Sequence, residues 1–204
     1  IHVINPEVKP LSKPEIEHSD LACYHLFYPA VPGVSYKNHE LLIRMLAIMK
    51  EKNLQLYSKI TLSFTCKPND NRVTKYYYRL CKKLSVDERI EWKGYLNKDK
   101  MLREYIESDI VLFPSKLETF GLPLIEAASL GKPVFVLDKP YAHDVLEGYG
   151  GVRYLEDEPA RWAEKLEETL VTRKLHFEQF VNYDSGGWSR FVNLIINACK
   201  PSEY

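Results

Sequence analysis

Apolar positions along the chain fall into two alternating patterns. Short apolar runs at 21–28, 59–65, 89–93, 109–113, 134–137 and 152–155 read as strands, several without the polar alternation of a half-exposed sheet. Between them apolar residues return every three or four positions, the period of an amphipathic helix. The stretch 38–50 presents Leu41, Leu42, Met45, Ile48 and Met49 on one face, with Asn38 as its expected N-cap. The stretch 71–84 carries a stripe of Val73, Tyr76, Tyr77, Leu80 and Leu84, and further helices are predicted at 98–108, 123–130, 142–147, 159–181 and 188–198. Such alternation builds βαβ units with right-handed crossovers. The expected fold class is therefore α/β, a Rossmann-like doubly wound parallel sheet of about six strands with helices on both faces. Residues 1–20, where Pro6, Pro10 and Pro14 stand among Asn5, Lys9, Ser12 and Lys13, lack a core pattern and read as a linker. Residues 21–184 form the expected domain and 185–204 a terminal helical segment.

Composition narrows the function classes. The 204 residues are 45% hydrophobic and 27% charged, enough for one well-buried core. Lys and Arg number 28 and Asp and Glu 28, a balance that argues against nucleic acid as a partner. No window is long and apolar enough to span a bilayer, and the first ten residues have no signal-peptide core. Cys23, Cys66, Cys81 and Cys199 are scattered without CxxC spacing and read as reduced thiols, Cys23 within a buried strand. The six histidines are equally dispersed, so no metal site is expected. The fingerprints GxGxxG after the first strand, GxxxxGK[ST] and GxSxG are absent, which disfavours a dinucleotide dehydrogenase and a P-loop NTPase. Charge is uneven: 67–103 holds 11 Lys/Arg against 5 Asp/Glu, whereas 104–168 holds 6 against 14. Lys75, Arg79, Lys82 and Lys83 share a helix face that fits an anionic membrane surface or simply a solvated side.

Candidate chemistry concentrates in 113–133, F-P-S-K-L-E-T-F-G-L-P-L-I-E-A-A-S-L-G-K-P, which follows a predicted strand and opens a helix. Pro123 suits the start of that helix, Gly131 the position past its end, and Pro133 forbids continuation. Gly121 and Leu122 carry no capping oxygen, so the N–H groups of Leu122, Leu124 and Ile125 are left seeking acceptors. An open helix N-terminus at the carboxyl end of a strand is an anion site. Glu126 in the expected first turn, with no buried partner of its own, and Glu118 in the loop would place carboxylates beside that anion. A phosphate attached to a sugar has this shape of charge and hydroxyls. The two glutamates alone also fit a helix whose early carboxylate complements its dipole. Lys37 precedes a second helix start, where a cation is misplaced unless an anion neutralises it.

The run strongly resembles the retaining glycosyltransferases of family 4, the glycosyl transferases group 1, whose C-terminal domain carries P-S-x-x-E-x-F-G-x-P-x-x-E-A. Pro114, Ser115, Glu118, Phe120, Gly121, Pro123, Glu126 and Ala127 match it. The resemblance extends to Gly94-Tyr95-Leu96, to the strand at 109–113, to Gly131-Lys132-Pro133-Val134 and to the terminal helix at 188–198. It implies one half of a two-domain GT-B fold, the last helix crossing back to an N-terminal domain outside this chain. By resemblance, Glu126 accepts ribose hydroxyls and Glu118 contacts the transferred sugar. Thr119 and the backbone around Phe120, Gly121 and Leu122 hold sugar hydroxyls and pyrophosphate, and Tyr95 and Leu96 border the base unless Tyr95 packs on the sheet edge. Lys37 reaches the pyrophosphate, so Glu118 and Lys37 are the expected catalytic pair. The family usually places an Arg several residues before that Lys, and none occurs between Tyr28 and Lys37. Either Lys37 works with the helix end alone, or Lys116 or another residue substitutes.

The resemblance implies transfer from a UDP- or GDP-linked sugar to an acceptor glycan or lipid-linked sugar, with retention and no metal or other cofactor, in polysaccharide or glycoconjugate synthesis. The setting expected is cytoplasmic, with peripheral contact at the inner face of the cell membrane. This chain alone would be inactive. The alternatives are a non-catalytic nucleotide-sugar-binding module working with a partner subunit and, more remotely, a sugar-phosphate epimerase of GT-B shape.

Overall fold

The computed structural model describes residues 23–30 and 33–180. The expected linker and the expected helix at 188–198 lie outside the described residues. All six expected strands form: β1 (Tyr24–Tyr28), β2 (Ile60–Phe64), β3 (Ile90–Trp92), β4 (Ile110–Phe113), β5 (Val134–Leu137) and β6 (Val152–Leu155). They make one parallel sheet in the order β3-β2-β1-β4-β5-β6, with Leu26 opposite both Leu62 and Ile110. The central strands β4 and β5 are buried throughout, which explains their unbroken apolar runs.

The helices are α1 (His39–Lys52), α2 (Leu54–Tyr57), α3 (Arg72–Lys83), α4 (Lys98–Glu107), α5 (Leu122–Ser129), α6 (Pro140–Leu146) and α7 (Pro159–Thr172). Consecutive residues of β1 sort them between the faces. Phe27 meets Tyr105 of α4 edge-on at 5.2 Å, and Tyr28 meets His39 of α1 at 4.7 Å on the opposite side. With α4 lie α5, joined through Tyr105 and Glu126, and α6, packed on α5. With α1 lie α3 and α7, the latter anchored by fully buried Trp162, whose Nε1 donates to the Glu156 carbonyl at 2.8 Å.

Several expectations are corrected. Asn38 does not cap α1: it adopts the left-handed conformation (φ 56°), and its amide donates to Asp157 Oδ1 at 2.8 Å. Helix α7 stops at Thr172 instead of running to 181, because Arg173 turns left-handed (φ 53°) and the chain then docks on the end of α5. There Phe177 N–H donates to Gly131 O at 3.1 Å and Phe180 N–H to Ala128 O at 3.0 Å. Short α2 was not anticipated. Cys23 is exposed ahead of β1, not buried in it, whereas burial pushes the Cys66 and Cys81 thiols up to about 12. On α3 the buried positions are Thr74, Tyr77, Leu80 and Cys81. Tyr76 turns outward, its hydroxyl donating to Glu40 Oε2 at 3.0 Å, and α3 opens on a reciprocal cap in which Asn71 and Thr74 bond each other's backbone.

The Gly131-Lys132-Pro133 step closes α5 and serves a second helix. Buried Lys132 extends Nζ to the carbonyls of Ile106 and Ser108, at 2.6 and 2.7 Å, and so caps the C-terminus of α4. Gly131 itself is left-handed (φ 67°), and a Cβ there would lie 2.3 Å from the Phe177 carbonyl oxygen. Gly131→Ala should therefore lose about 1–3 kcal/mol of stability through strain and displacement of 174–180. A urea midpoint unchanged from the parent chain would refute that docking.

Candidate functional site

Strands β1 and β4 are neighbours, yet β1 leads to α1 on one face and β4 leads to α5 on the other. This divergence opens a crevice at the carboxyl edge, where ligands bind in doubly wound sheets. The loops 29–38 and 114–121 form its two sides, and the structure ties them together. Lys116 N–H donates to Tyr36 O at 2.8 Å, and Lys37 Nζ lies 2.5 Å from Glu118 Oε1. The Lys37 and Glu118 side chains are only 16% and 12% exposed. The expected catalytic pair is thus one ion pair, 81 residues apart in sequence.

Buried aromatic residues hold this pair from below. Tyr28, the last residue of β1, donates its hydroxyl to Lys37 O at 2.6 Å. Burial, reinforced by Glu118, raises the phenol well above its ordinary pKa and keeps it a donor. Tyr141 of α6 does the same for the other loop, donating to Ser115 O at 2.6 Å, while Ser115 Oγ donates to Leu117 O at 3.0 Å. His39, first residue of α1, is enclosed by Tyr28, Phe64 and Tyr77, and neither ring nitrogen has a hydrogen-bond partner. Burial, then Lys37, lowers its pKa to about 3, so the ring is neutral and no proton shuttle. Nothing in the sequence pattern singles out these three supports.

Both helix ends facing the crevice lack a side-chain cap. At α1 the Asn38 amide is committed to Asp157. At α5 the N-cap is Gly121, left-handed at φ 83°, with Pro123 second in the helix. One expectation fails here: the Leu124 N–H is not free but donates to Gly121 O at 2.9 Å. Thr119 and Leu122 are exposed, and Phe120 is half-buried against the core. Lys116 pairs with Asp157 at 2.6 Å, both side chains about half exposed.

Glu126 lies in the second turn of α5, not the first, and it has a buried partner. Tyr105 donates its hydroxyl to Glu126 Oε2 at 2.8 Å. Burial raises the Glu126 carboxyl above its ordinary pKa, opposed by that hydrogen bond and by Lys98. Tyr95 is 91% exposed and does not pack on the sheet edge, while Leu96 packs on the core. Both follow β3, beyond β2 and β1 from β4, and no hydrogen bond or ion pair among the described residues joins them to Lys37 or Glu118. Among the described residues no group of three or more His, Cys, Asp or Glu side chains is placed to hold a metal ion.

The Tyr105 contact separates two substitutions. Glu126→Ala should leave the Tyr105 hydroxyl only its long 3.4 Å contact to the Pro123 carbonyl and cost about 1–2 kcal/mol, whereas Glu126→Gln keeps a close acceptor and should be milder. A carboxyl raised by folding binds its proton more tightly in the native state, so its contribution to stability falls as pH rises through the window between the ordinary and raised values. Glu126→Gln should remove that part of the pH dependence, read from urea midpoints across pH 4–7. Equal stability of the Ala and Gln variants at pH 7 would contradict the assignment.

Comparison with known proteins follows the same lines. The family model for glycosyl transferases group 1 matches residues 32–182. A D-inositol 3-phosphate glycosyltransferase of Corynebacterium diphtheriae is 29% identical over 139 residues, 66% of this chain and 32% of that protein. A glycosyltransferase from Rickettsia africae shares the fold with a TM-score of 0.71 at 16% identity, over 88% of this chain and 49% of the other. Alr3699/HepE of Anabaena, in complex with UDP and glucose, does so with a TM-score of 0.65 at 17% identity, over 87% of this chain and 49% of the other. The chain therefore spans about a third of the curated relative and about half of each solved protein. With the family match running through both crevice loops and α5, the chain belongs to the glycosyl transferases group 1.

Proposed function

We propose that the chain is the donor-binding, C-terminal half of a retaining GT-B glycosyltransferase of family 4, which moves a sugar from a nucleoside diphosphate to an acceptor glycan or lipid-linked sugar. The observation that carries this is the Lys37–Glu118 pair between two uncapped helix ends. Those helix ends and the ammonium group supply positive potential where a diphosphate would lie. Glu118 offers a carboxylate to sugar hydroxyls, and Glu126, on the α4–α5 side, offers one to ribose. The exposed Tyr95 ring is available to a UDP or GDP base, and UDP is the nucleotide bound in the HepE structure.

In this reading the bond from the anomeric carbon to the diphosphate oxygen breaks, the acceptor oxygen joins the same face of the sugar, and the acceptor's hydroxyl proton passes to the departing diphosphate oxygen. Lys37 and the N–H groups of α1 and α5 stabilise the negative charge left on the diphosphate, without a metal ion. Tyr28 holds the Lys37 carbonyl, His39 packs on Tyr28, and neither takes a proton. The acceptor wall lies in a domain outside this chain, so donor binding without transfer is expected of the chain alone. The biosynthetic role in polysaccharide or glycoconjugate assembly, the cytoplasmic setting and a peripheral membrane contact through the basic face of α3 belong to the same proposal.

Two outcomes test it. A nucleoside diphosphate should bind far more tightly than its nucleoside, and Lys37→Ala should narrow the gap by roughly 10- to 150-fold, the worth of one charge-assisted hydrogen bond. In the free chain Glu118 competes for Lys37, so Glu118→Gln should tighten the bare diphosphate while weakening the added contribution of the sugar. Calorimetry with UDP, GDP, their sugars and uridine or guanosine reads both. Equal affinity for nucleoside and diphosphate would overturn the assignment.

A further inference from the structure

A polar cluster lies under α4, away from the crevice, and no step of the proposed transfer uses it. His25 on β1 projects to the same face as Phe27, two residues on, and so toward α4. Ser63 of β2, Glu91 of β3 and Lys93 just beyond continue the row on that face, and Glu104 of α4 closes it from above. Ser63 is fully buried, and the His25 and Glu104 side chains are only 20% and 11% exposed.

Most contacts in the cluster are made. His25 Nε2 lies 2.7 Å from Ser63 Oγ, and Asp109 Oδ2 accepts the His25 backbone N–H at 2.7 Å. Lys93 Nζ reaches Glu91 Oε2 at 2.7 Å and Glu104 Oε1 at 3.1 Å. One contact is not made: Glu104 Oε2 is buried without a hydrogen-bond partner and stops 3.6 Å from His25 Nε2. A buried carboxylate oxygen without a donor is unfavourable, and an imidazolium beside it offers both a proton and a charge.

Burial holds His25 below its ordinary value of 6.5, against the Glu104, Glu91 and Asp109 carboxylates and with the help of Lys93. The arrangement described, Glu104 on Lys93 and the ring on Ser63, is therefore that of a neutral histidine. An arrangement in which Glu104 Oε2 has closed on the ring binds the proton more tightly, because a charge-assisted bond replaces a gap. Acid selects that second arrangement by linkage. The next residue, Tyr105, sets its ring against Phe27 at 5.2 Å and its hydroxyl on Glu126 at 2.8 Å.

We infer that His25 and Glu104 form a proton-operated latch between β1 and α4: protonation draws Glu104 onto the ring and α4 toward β1, and through Tyr105 it displaces the Glu126 carboxylate. Both are positioning residues and neither touches the donor. The latch itself stands on the cluster; its effect on ligand rests on the proposed donor site, where Glu126 meets the ribose, and there acid weakens the grip.

The test follows the His25 ring and the Glu104 and Glu126 carboxyl resonances of the full chain from about pH 7.5 to about pH 5, across the ordinary histidine range. Glu104 and Glu126 should shift with the His25 midpoint. In His25→Gln both steps should vanish. In Glu104→Gln, where the histidine still titrates, the Glu126 step should vanish too, which a mere field of the charged ring would not cause. UDP affinity, read by calorimetry, should match between parent and His25→Gln at the upper pH and be several-fold weaker in the parent at the lower one. Protons on the diphosphate and on Glu126 are common to both chains, so the difference belongs to His25. No Glu126 step at the His25 midpoint, a step that survives in Glu104→Gln, or equal UDP affinities at both pH values would each overturn the latch with UDP binding intact. Failure of UDP to bind at the upper pH would instead overturn the donor reading.

Discussion

The arrangement depends on one topological constraint: adjacent parallel strands β1 and β4 send their chains to opposite faces of the sheet. The gap this leaves exposes the backbone of two loops at the carboxyl edge, where polar groups need partners. Three hydrogen bonds answer it: two partly buried, from Tyr28 to Lys37 O and from Tyr141 to Ser115 O, and one between exposed residues, from Lys116 N–H to Tyr36 O. Each is worth about 1 kcal/mol net. The loops are therefore held by the core beneath them, and the side chains they carry inherit that rigidity.

Electrostatics then selects what the crevice accepts. Two uncapped helix ends contribute about half a positive charge each. Lys37 and Glu118 cancel one another at 2.5 Å, so the crevice carries a net positive potential of about one charge. A largely buried ion pair gains little over its desolvation cost and does not explain itself as a stabilising device. On the proposed function it is a stored cation: the carboxylate would keep Lys37 ordered until a dianion with a stronger claim arrives, and would then turn toward neutral hydroxyl groups. A diphosphate joined to a sugar provides both in one molecule.

Much of this was legible in the sequence because it is local. The six strands are continuous apolar runs, and in a fully covered parallel sheet the run itself is the signal. Gly121, Pro123 and Gly131 mark the ends of α5 through backbone preferences that need no tertiary information. What escaped was set at long range. Asn38 has the ideal chemistry for a cap, yet Asp157, 119 residues later, takes its amide and leaves it left-handed. Helix α7 has helical periodicity past Thr172, but Phe177 and Phe180 find carbonyls at the end of α5 and break it. The Tyr105–Glu126 bond joins two helices whose separate patterns say nothing of each other, and the pairing of Lys37 with Glu118 needed the strand order.

The exposed apolar residues carry the argument one step beyond the crevice. Val34, Tyr36, Tyr95, Leu117 and Leu122 are 39%, 40%, 91%, 63% and 46% exposed, and all five sit in loops or at a helix start along the carboxyl edge. Large apolar side chains gathered along one edge of a sheet mark a surface that is covered in use. On the proposed function a nucleotide sugar would cover Tyr95 and Leu122. The proposed second wall of the cleft accounts for the remainder, since closing it over this edge would bury the same side chains and exclude water from the Lys37–Glu118 pair. Excluding water strengthens every interaction of that pair with the departing diphosphate. On that proposal, the closure that completes the acceptor site would also raise the catalytic worth of Lys37, which this chain alone would offer only as a binding group.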